Sequence, residues 1–169
     1  TKKNEGMHEA VQRESKAARD SAGILDASTL GKIDIQGTDA SEFLNRVYTN
    51  AWSKLAIGKC RYGLMLNEDG MVYDDGVTTR LDENHYIMTT TTGGAATVLG
   101  KLEDYLQTEW PELDVYLTSV TDHYATVSVC GQNSKKIVSQ VIPELDFSDE
   151  SFPHMSFKNA KIDKIKCRV

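Results

Sequence analysis

Residues 61–80 read RYGLMLNEDGMVYDDGVTTR, and this stretch predicts a β-hairpin. Two runs of strand-forming residues, 61–66 and 71–80, flank the turn sequence Asn-Glu-Asp-Gly at 67–70. The Asp-Gly pair supplies the positive φ angle that a tight hairpin turn needs. Because this is the most strand-like part of the chain, it favours a fold built on antiparallel sheet.

Helical and strand-like segments are mixed along the rest of the chain. Apolar residues at helical spacing predict helices, and alternating apolar and polar residues predict strands. Hairpins without regular βαβ units favour the α+β class, mainly antiparallel sheet with packed helices. The predicted helices are 8–20, 39–47, 95–110 (ended by Pro111) and a short helix after Gly131 that contains residues 137, 138 and 141. The predicted strands are 32–36, 85–91, 115–120, 124–129 and one final strand after a loop at 143–157.

The composition excludes several functional classes. The chain has 169 residues, 19 Lys and Arg against 25 Asp and Glu, and a net charge of −6. An acidic chain lacks the large basic face of a nonspecific nucleic-acid binder, although residues 158–169 form a short basic strip. No apolar run reaches the roughly 20 residues of a membrane span, and no signal peptide is visible. We therefore expect neither a nucleic-acid nor a membrane partner.

The cysteines and histidines do not form a metal-binding pattern. The three cysteines, Cys60, Cys130 and Cys167, are far apart in sequence, and no CxxC pair exists. The turn at 67–70 also lacks the ligand spacing of a calcium loop. We expect no metal site, and the sparse thiols favour a reducing, cytoplasmic compartment.

The densest group of acids lies on the predicted hairpin, where Asp74 and Asp75 are adjacent. Successive side chains of a strand point to opposite faces, so only one of the two aspartates can face inward. An inward carboxylate is costly unless it is paired or functional, and it then suits a general base or a stabiliser of positive charge. The alternative is that Asp74 and Asp75 are a capped or salt-bridged surface pair. The alternation of side chains alone does not show which aspartate faces inward.

Four segments together resemble the folate-binding aminomethyltransferase family, which includes the glycine-cleavage T-protein. They are AGILDASTLGKIDIQG at 22–37, FLNRVYTN at 43–50, the hairpin at 61–80, and VTDHYATVSVCGQNS at 120–134. Gln132 departs from the proline that is usual in the last segment. Within the family, TEWPELDVYLTSVTDHYA at 108–125 is similar to the branch of heterotetrameric sarcosine oxidase alpha subunits.

The resemblance implies that residues 1–169 are the N-terminal part of a folate-binding domain. The family's later Gly-Tyr-Thr-Gly-Glu segment would begin beyond Val169, so we expect the domain to be incomplete at its C-terminus. The fragment alone is therefore expected to bind folate weakly or not at all and to be inactive.

The resemblance also implies a set of site residues. Asp75 takes the catalytic role beside the folate nitrogen that attacks the one-carbon unit, and Asp74 on the opposite face is structural. Tyr62 matches a pocket tyrosine, and Leu30 matches an apolar residue against the ring. Val77 and Thr79 continue along the pocket strand; Thr79 stands where a larger side chain is common.

The implied activity is transfer of the one-carbon unit of oxidised sarcosine to tetrahydrofolate, giving methylenetetrahydrofolate. FAD, FMN and NAD are expected elsewhere in the full enzyme, and the partners are the remainder of the alpha subunit and the other oxidase subunits. The alternative is a folate-binding-like or scaffold domain of the same fold that performs no transfer. A carboxylate-pair hydrolase would need a second acid at similar depth, for which the sequence offers no candidate.

Overall fold

The larger part of the protein is built on a five-stranded antiparallel sheet. A computed structural model describes residues 2–169 of the chain. The strand order is β3-β4-β5-β2-β6, and every pairing is antiparallel. The strands are β1 Gly23–Asp26, β2 Gly31–Gln36, β3 Cys60–Leu66, β4 Val72–Asp82, β5 His85–Thr90, β6 Tyr116–Ser119, β7 Val127–Cys130, β8 Asn159–Ile162 and β9 Ile165–Arg168. The α-helices are α1 Met7–Asp20, α2 Ala40–Val47, α3 Ala95–Asp104 and α4 Ser134–Val141.

The described chain divides into two units. The larger unit comprises Ser28–Tyr124 and His154–Lys158 and contains the five-stranded sheet with α2 and α3. The smaller unit comprises residues 2–27, Ala125–Pro153 and Asn159–Val169. It contains α1, α4, a two-stranded sheet of β1 and β7, and the β8–β9 hairpin.

The hydrophobic core of the larger unit lies on one face of the sheet. Alternate residues of β2, β3 and β5 point to this face and meet apolar side chains of α2 and α3. Burying each large apolar side chain contributes about 1.5–3 kcal/mol, so this layer is the main source of the unit's stability. The fully buried members include Ile33, Ile35, Phe43, Leu44, Trp52, Met65, Tyr86, Met88, Val98 and Leu102.

The predicted fold class is confirmed, with antiparallel sheets and four α-helices among the described residues. The hairpin at 61–80 forms as β3 and β4, and its turn includes Gly70 at a φ of 80°. None of the helices within residues 2–169 has the length and apolar character required to cross a bilayer.

Two sequence expectations differ from the structure. The helix predicted at 95–110 is regular only to Asp104, and a π-helical segment, Tyr105–Glu109, completes it. The final strand is a hairpin, because Asp163 adopts a positive φ of 55° and turns the chain between β8 and β9. The two strands predicted at 115–120 and 124–129 form as β6 and β7, and they lie in different sheets, since β6 pairs with β2 and β7 pairs with β1.

Asp74 connects β4 to the start of α3. Its side chain is only 5% exposed, and its carboxylate accepts hydrogen bonds from the Thr91 hydroxyl at 2.6 Å and the Thr91 backbone N–H at 3.2 Å. The Thr91 hydroxyl oxygen in turn accepts the Gly94 N–H, just before the first turn of α3. A buried carboxylate is costly unless its oxygens are hydrogen-bonded, so this network holds Asp74 on the core side.

Gly76 allows β4 and β5 to approach closely. A Cβ atom at this position would overlap the carbonyl oxygen of Thr89, which belongs to the neighbouring strand. Its cross-strand partner Gly63 is also crowded, because a Cβ there would lie 2.6 Å from the Trp52 ring. Both glycines are therefore required for strand and core packing next to the aspartate pair.

We expect Gly76→Ala to destabilise the protein by about 1–3 kcal/mol, because the added methyl group must displace the β5 backbone. Gly100 is the matched control: it lies inside α3 with open space around its Cα, and Gly100→Ala should stabilise the protein by about 0.5–1 kcal/mol. Denaturant unfolding measures both. Equal stabilities of the two variants would contradict the close approach.

We expect Asp74→Ala to lower the free energy of unfolding by about 1–3 kcal/mol, because it leaves the Thr91 N–H and hydroxyl without their acceptor. The control is Asp122→Ala, which truncates an exposed aspartate and should change stability by no more than about 0.5 kcal/mol. Thermal unfolding of both variants tests this expectation, and a loss in Asp74→Ala no larger than in the control would refute it.

Candidate functional site

Four of the five predicted site residues lie on one face of the β3–β4 hairpin. In the strand register Tyr62 is opposite Val77, Leu64 is opposite Asp75, and Cys60 is opposite Thr79. Directly opposed residues point to the same side of a sheet. The predicted residues therefore share one face with Cys60 and Leu64; this is the face turned away from the hydrophobic core, and we call it the site face.

Asp75 and Tyr62 are joined across this face. The Tyr62 hydroxyl donates a hydrogen bond of 2.8 Å to Oδ2 of Asp75. This hydrogen bond, followed by burial and the negative charge of Asp75, raises the pKa of Tyr62 above its ordinary value, so the phenol keeps its proton. Tyr62 is 51% exposed and Asp75 is half-buried, which leaves the pair accessible from the side opposite the core. The arrangement is a carboxylate oriented by a phenol.

Val77 and Thr79 continue the site face along β4. The Val77 backbone N–H donates to the Thr89 hydroxyl oxygen at 2.9 Å, which fixes β4 against β5. The Thr79 hydroxyl lies 3.2 Å from the Cys60 thiol, and the two groups form a hydrogen bond across the site face. Burial raises the pKa of the Cys60 thiol, with Thr79 acting in the opposite direction, and the group is therefore a thiol at neutral pH.

Leu30 reaches the same sheet from a separate segment. It is half-buried in the turn that leads into β2, and β5 separates β2 from β4 in the sheet. The preceding Thr29 lies close to the residues that follow β5, with its hydroxyl 3.2 Å from that of Thr92. The structure therefore places Leu30 in the turn before β2, an interior strand of the sheet, and not on the hairpin that carries the other four residues.

Sequence reasoning missed three residues of this region. Cys60 and Leu64 each lie two positions from Tyr62, and the period of two along β3 would have identified both. Lys32 is 4% exposed and donates its ammonium hydrogens to two carbonyl oxygens of the turn that carries Leu30. A single lysine in an alternating strand gives no sequence signal of burial, so this residue needed the structure.

Two cavities in the described chain lie away from the predicted site residues. One, of about 550 Å³, is in the smaller unit against α4 and includes Lys135 and Lys136 in its lining. The other, of about 520 Å³, is at the far end of β2 and β5, beside His85 and Asp114. His85 is paired there with Asp34 at 2.7 Å. Neither of these two cavities includes Asp75 in its lining.

The residues present do not form a metal centre. Within residues 2–169 there is no group of three or more His, Cys, Asp or Glu side chains arranged to hold an ion. Asp75 is hydrogen-bonded to a phenol, and its sequence neighbour Asp74 points to the other face.

Known proteins similar to this chain include enzyme subunits and aminomethyltransferases. Sarcosine oxidase subunit alpha of Corynebacterium sp. (strain U-96) is 56% identical over 166 residues, covering 98% of this chain and 17% of that protein. The same subunit from Rhizobium meliloti (strain 1021) is 51% identical over 154 residues, covering 91% and 16%. Aminomethyltransferase of Listeria monocytogenes serotype 4a (strain HCC23) is 31% identical over 146 residues, covering 84% and 38%.

The fold also has a solved counterpart. The crystal structure of glycine cleavage system aminomethyltransferase T from Bartonella henselae matches with a TM-score of 0.74 at 24% identity, covering 90% of this chain and 40% of that one. The chain thus spans about a sixth of the length of the sarcosine oxidase subunits and less than half of the aminomethyltransferases. A family model described as the GCVT N-terminal domain matches residues 2–169, and the chain belongs to that family.

Proposed function

We propose that this chain is the N-terminal part of the tetrahydrofolate-binding domain of a sarcosine oxidase alpha subunit. The proposed reaction transfers the one-carbon unit of oxidised sarcosine to tetrahydrofolate, with Asp75 as the catalytic residue. The observation that carries the proposal is the half-buried carboxylate of Asp75, held at 2.8 Å by Tyr62 on a sheet face that the core leaves accessible. The high identity to sarcosine oxidase alpha subunits supports the same assignment.

The residues of the site face fit the chemistry of a reduced pterin. Its pyrimidine ring is planar, with apolar faces, and the bicyclic ring system carries several N–H donors at its edge. Asp75 offers carboxylate oxygens as acceptors, and Val77 offers apolar surface beside it. Tyr62 adds an accessible aromatic ring, and Leu30 adds an apolar side chain from the turn before β2. In this proposal Asp75 and Tyr62 orient the ring, while Leu30, Val77 and Thr79 hold it.

Asp75 has two tasks in the proposed mechanism. When bound, tetrahydrofolate supplies nitrogen nucleophiles that take up the one-carbon unit, with methylenetetrahydrofolate and glycine as products. Asp75 accepts a proton at Oδ1, the carboxylate oxygen that Tyr62 does not contact. The same negative charge stabilises the positive charge that develops next to it, in a site that is already oriented before reaction.

Tyr62 fixes which carboxylate oxygen of Asp75 is available. Its hydroxyl occupies Oδ2, and this contact limits rotation of the carboxylate. Because the raised pKa keeps the phenol protonated, the donor is present throughout the neutral range. Tyr62 therefore positions the base in addition to contacting the ring.

The oxidation step lies outside this chain in our proposal. Flavin and nicotinamide cofactors, FAD, FMN and NAD, are assigned to other parts of the enzyme, and the remaining subunits are the partners of this domain. The iminium form of oxidised sarcosine is then the donor that reaches the site face. This division predicts that loss of the folate site leaves sarcosine oxidation intact.

Asp75→Asn is expected to lower the rate of methylenetetrahydrofolate formation by at least about a hundredfold, since it removes the proton acceptor. Oxidation of sarcosine to formaldehyde should continue at the wild-type rate in the full-length enzyme. The assay follows both products from the same reaction, with Asp122→Asn as an exposed control. Equal loss of both activities would contradict a folate-specific role, and no loss of either would favour the scaffold alternative.

Tyr62→Phe is expected to lower the rate of one-carbon transfer by about tenfold, because a hydrogen bond to a charged group is lost. The pKa of Tyr62 is raised, so the wild-type phenol donates at every pH below its ordinary value of about 10. The loss should therefore be uniform between about pH 7 and 10 in the pH profile of transfer. A variant that equals the wild type across this range would show that the hydroxyl does not position Asp75.

A further inference from the structure

Lys32 is a buried cation on the site face. It is 4% exposed, although lysine is rarely buried to this extent without an anionic partner. Within residues 2–169, no carboxylate forms an ion pair with it. An ammonium group in this position must obtain its stabilisation from other polar atoms.

Those atoms are two main-chain carbonyl oxygens of one turn. The Lys32 ammonium donates to the carbonyl of Ser28 at 3.0 Å and to the carbonyl of Leu30 at 2.9 Å. Hydrogen bonds from a charged donor are about twice as strong as neutral ones. A single side chain therefore closes the turn at 28–30 against the first residues of β2.

The sheet register places Lys32 in line with the proposed folate-binding residues. Lys32 is opposite Thr89 on β5, and the Thr89 hydroxyl is bonded to the backbone of Val77 on β4. Val77 is in turn opposite Tyr62 on β3. Neighbouring strands are about 4.8 Å apart, so Lys32 lies on the site face at about 10 Å from Val77 along the sheet.

The same backbone is held on its other side as well. The Lys32 N–H donates to the Thr121 hydroxyl at 3.0 Å, and the Lys32 carbonyl accepts the Val120 N–H at 2.9 Å. The main chain of Lys32 is thus fixed to the segment after β6, and its side chain transmits that fixed position to the turn. The Thr29 hydroxyl, 3.2 Å from that of Thr92, is a second contact of this turn, and Lys32 adds two charged hydrogen bonds to its main chain.

We propose that Lys32 is a positioning residue for folate binding, which acts by closing the turn at 28–30 and so fixing Leu30 relative to Asp75 across the sheet. This inference rests on the proposed function. It assigns to Lys32 an effect on the affinity for the ligand and not on the chemical step, because the ammonium is engaged with the turn and takes no part in the proton transfer at Asp75.

The test compares Lys32→Met with Lys54→Met in the full-length enzyme. Methionine keeps the length of the side chain and removes the donor, and Lys54 is an exposed lysine in the same unit. The dissociation constant of an unreactive reduced folate, 5-formyltetrahydrofolate, is measured by calorimetry. KM and kcat for folate-dependent transfer are measured separately, and hydrogen exchange of the turn is followed without ligand.

Lys32→Met is expected to raise the dissociation constant and KM by about tenfold, with kcat nearly unchanged. Exchange at the turn should become faster, and Lys54→Met should match the wild type in every measurement. Lys32→Gln retains a neutral amide donor group, so its dissociation constant and KM should lie between those of the wild type and those of Lys32→Met. Unchanged affinity in Lys32→Met would overturn the proposal.

The remaining outcomes separate this proposal from the proposed function. If folate affinity and folate-independent sarcosine oxidation fall in parallel, or if neither Lys32 variant folds, Lys32 supports the whole domain and the positioning role is wrong. If the wild-type enzyme does not bind the reduced folate, the proposed function itself is contradicted. Wild-type binding with unaltered binding by Lys32→Met contradicts the positioning role alone.

Discussion

The contact between the Asp74 carboxylate and Thr91 determines which way β4 faces. A shift of one residue in strand register would exchange the two faces of the hairpin and place Asp75 in the core. That arrangement would bury a carboxylate without the N–H and hydroxyl donors of Thr91, at a cost of several kcal/mol. The close approach of Gly76 to Thr89 restrains the same register. The outward direction of Asp75 is therefore a consequence of how its neighbour is bound.

In our proposal, this division gives Asp74 a structural role and Asp75 a chemical role on the same strand. The Asp74 carboxylate is hydrogen-bonded to Thr91 before α3, whereas the Asp75 carboxylate accepts a hydrogen bond from Tyr62 at Oδ2. The sheet beneath is packed on its core side by fully buried side chains, which makes it a rigid support. A residue on a turn is held less rigidly than one on a strand unless a further contact fixes the turn. For Leu30, we propose that this contact is the hydrogen bond from the Lys32 ammonium to the Leu30 carbonyl.

Sequence alone predicted the parts of the fold that depend on local chemistry. The Asp-Gly turn predicted the β3–β4 hairpin, and strand alternation placed Asp74 and Asp75 on opposite faces. Alternation did not identify the buried member, because the deciding partner, Thr91, is 17 residues away in sequence. The sequence also did not predict the end of the regular helix at Asp104 or the turn at Asp163. Neither position carries a proline or a glycine, so the local signal for a break or a turn is absent.

The candidate site could be predicted only in part from the residues themselves. Its assignment to Leu30, Tyr62, Val77, Thr79 and Asp75 came from the resemblance to the aminomethyltransferase family, and their roles stay predictions. In the sheet, β5 lies between β2 and β4 and brings them near each other. This order depends on long-range strand pairing that no local sequence pattern encodes. Burial of Lys32 depends on the same pairing and on the path of the turn before it, and its sequence context, Gly-Lys-Ile-Asp, resembles a half-exposed strand.

The most direct test of the central claim is a crystal structure of the full-length polypeptide with a bound reduced folate. Our account predicts the pterin ring on the site face, with an Asp75 carboxylate oxygen within hydrogen-bond distance of a ring nitrogen and Leu30 against the ring. A folate bound elsewhere, with the Asp75 side chain left in contact with solvent, would contradict it.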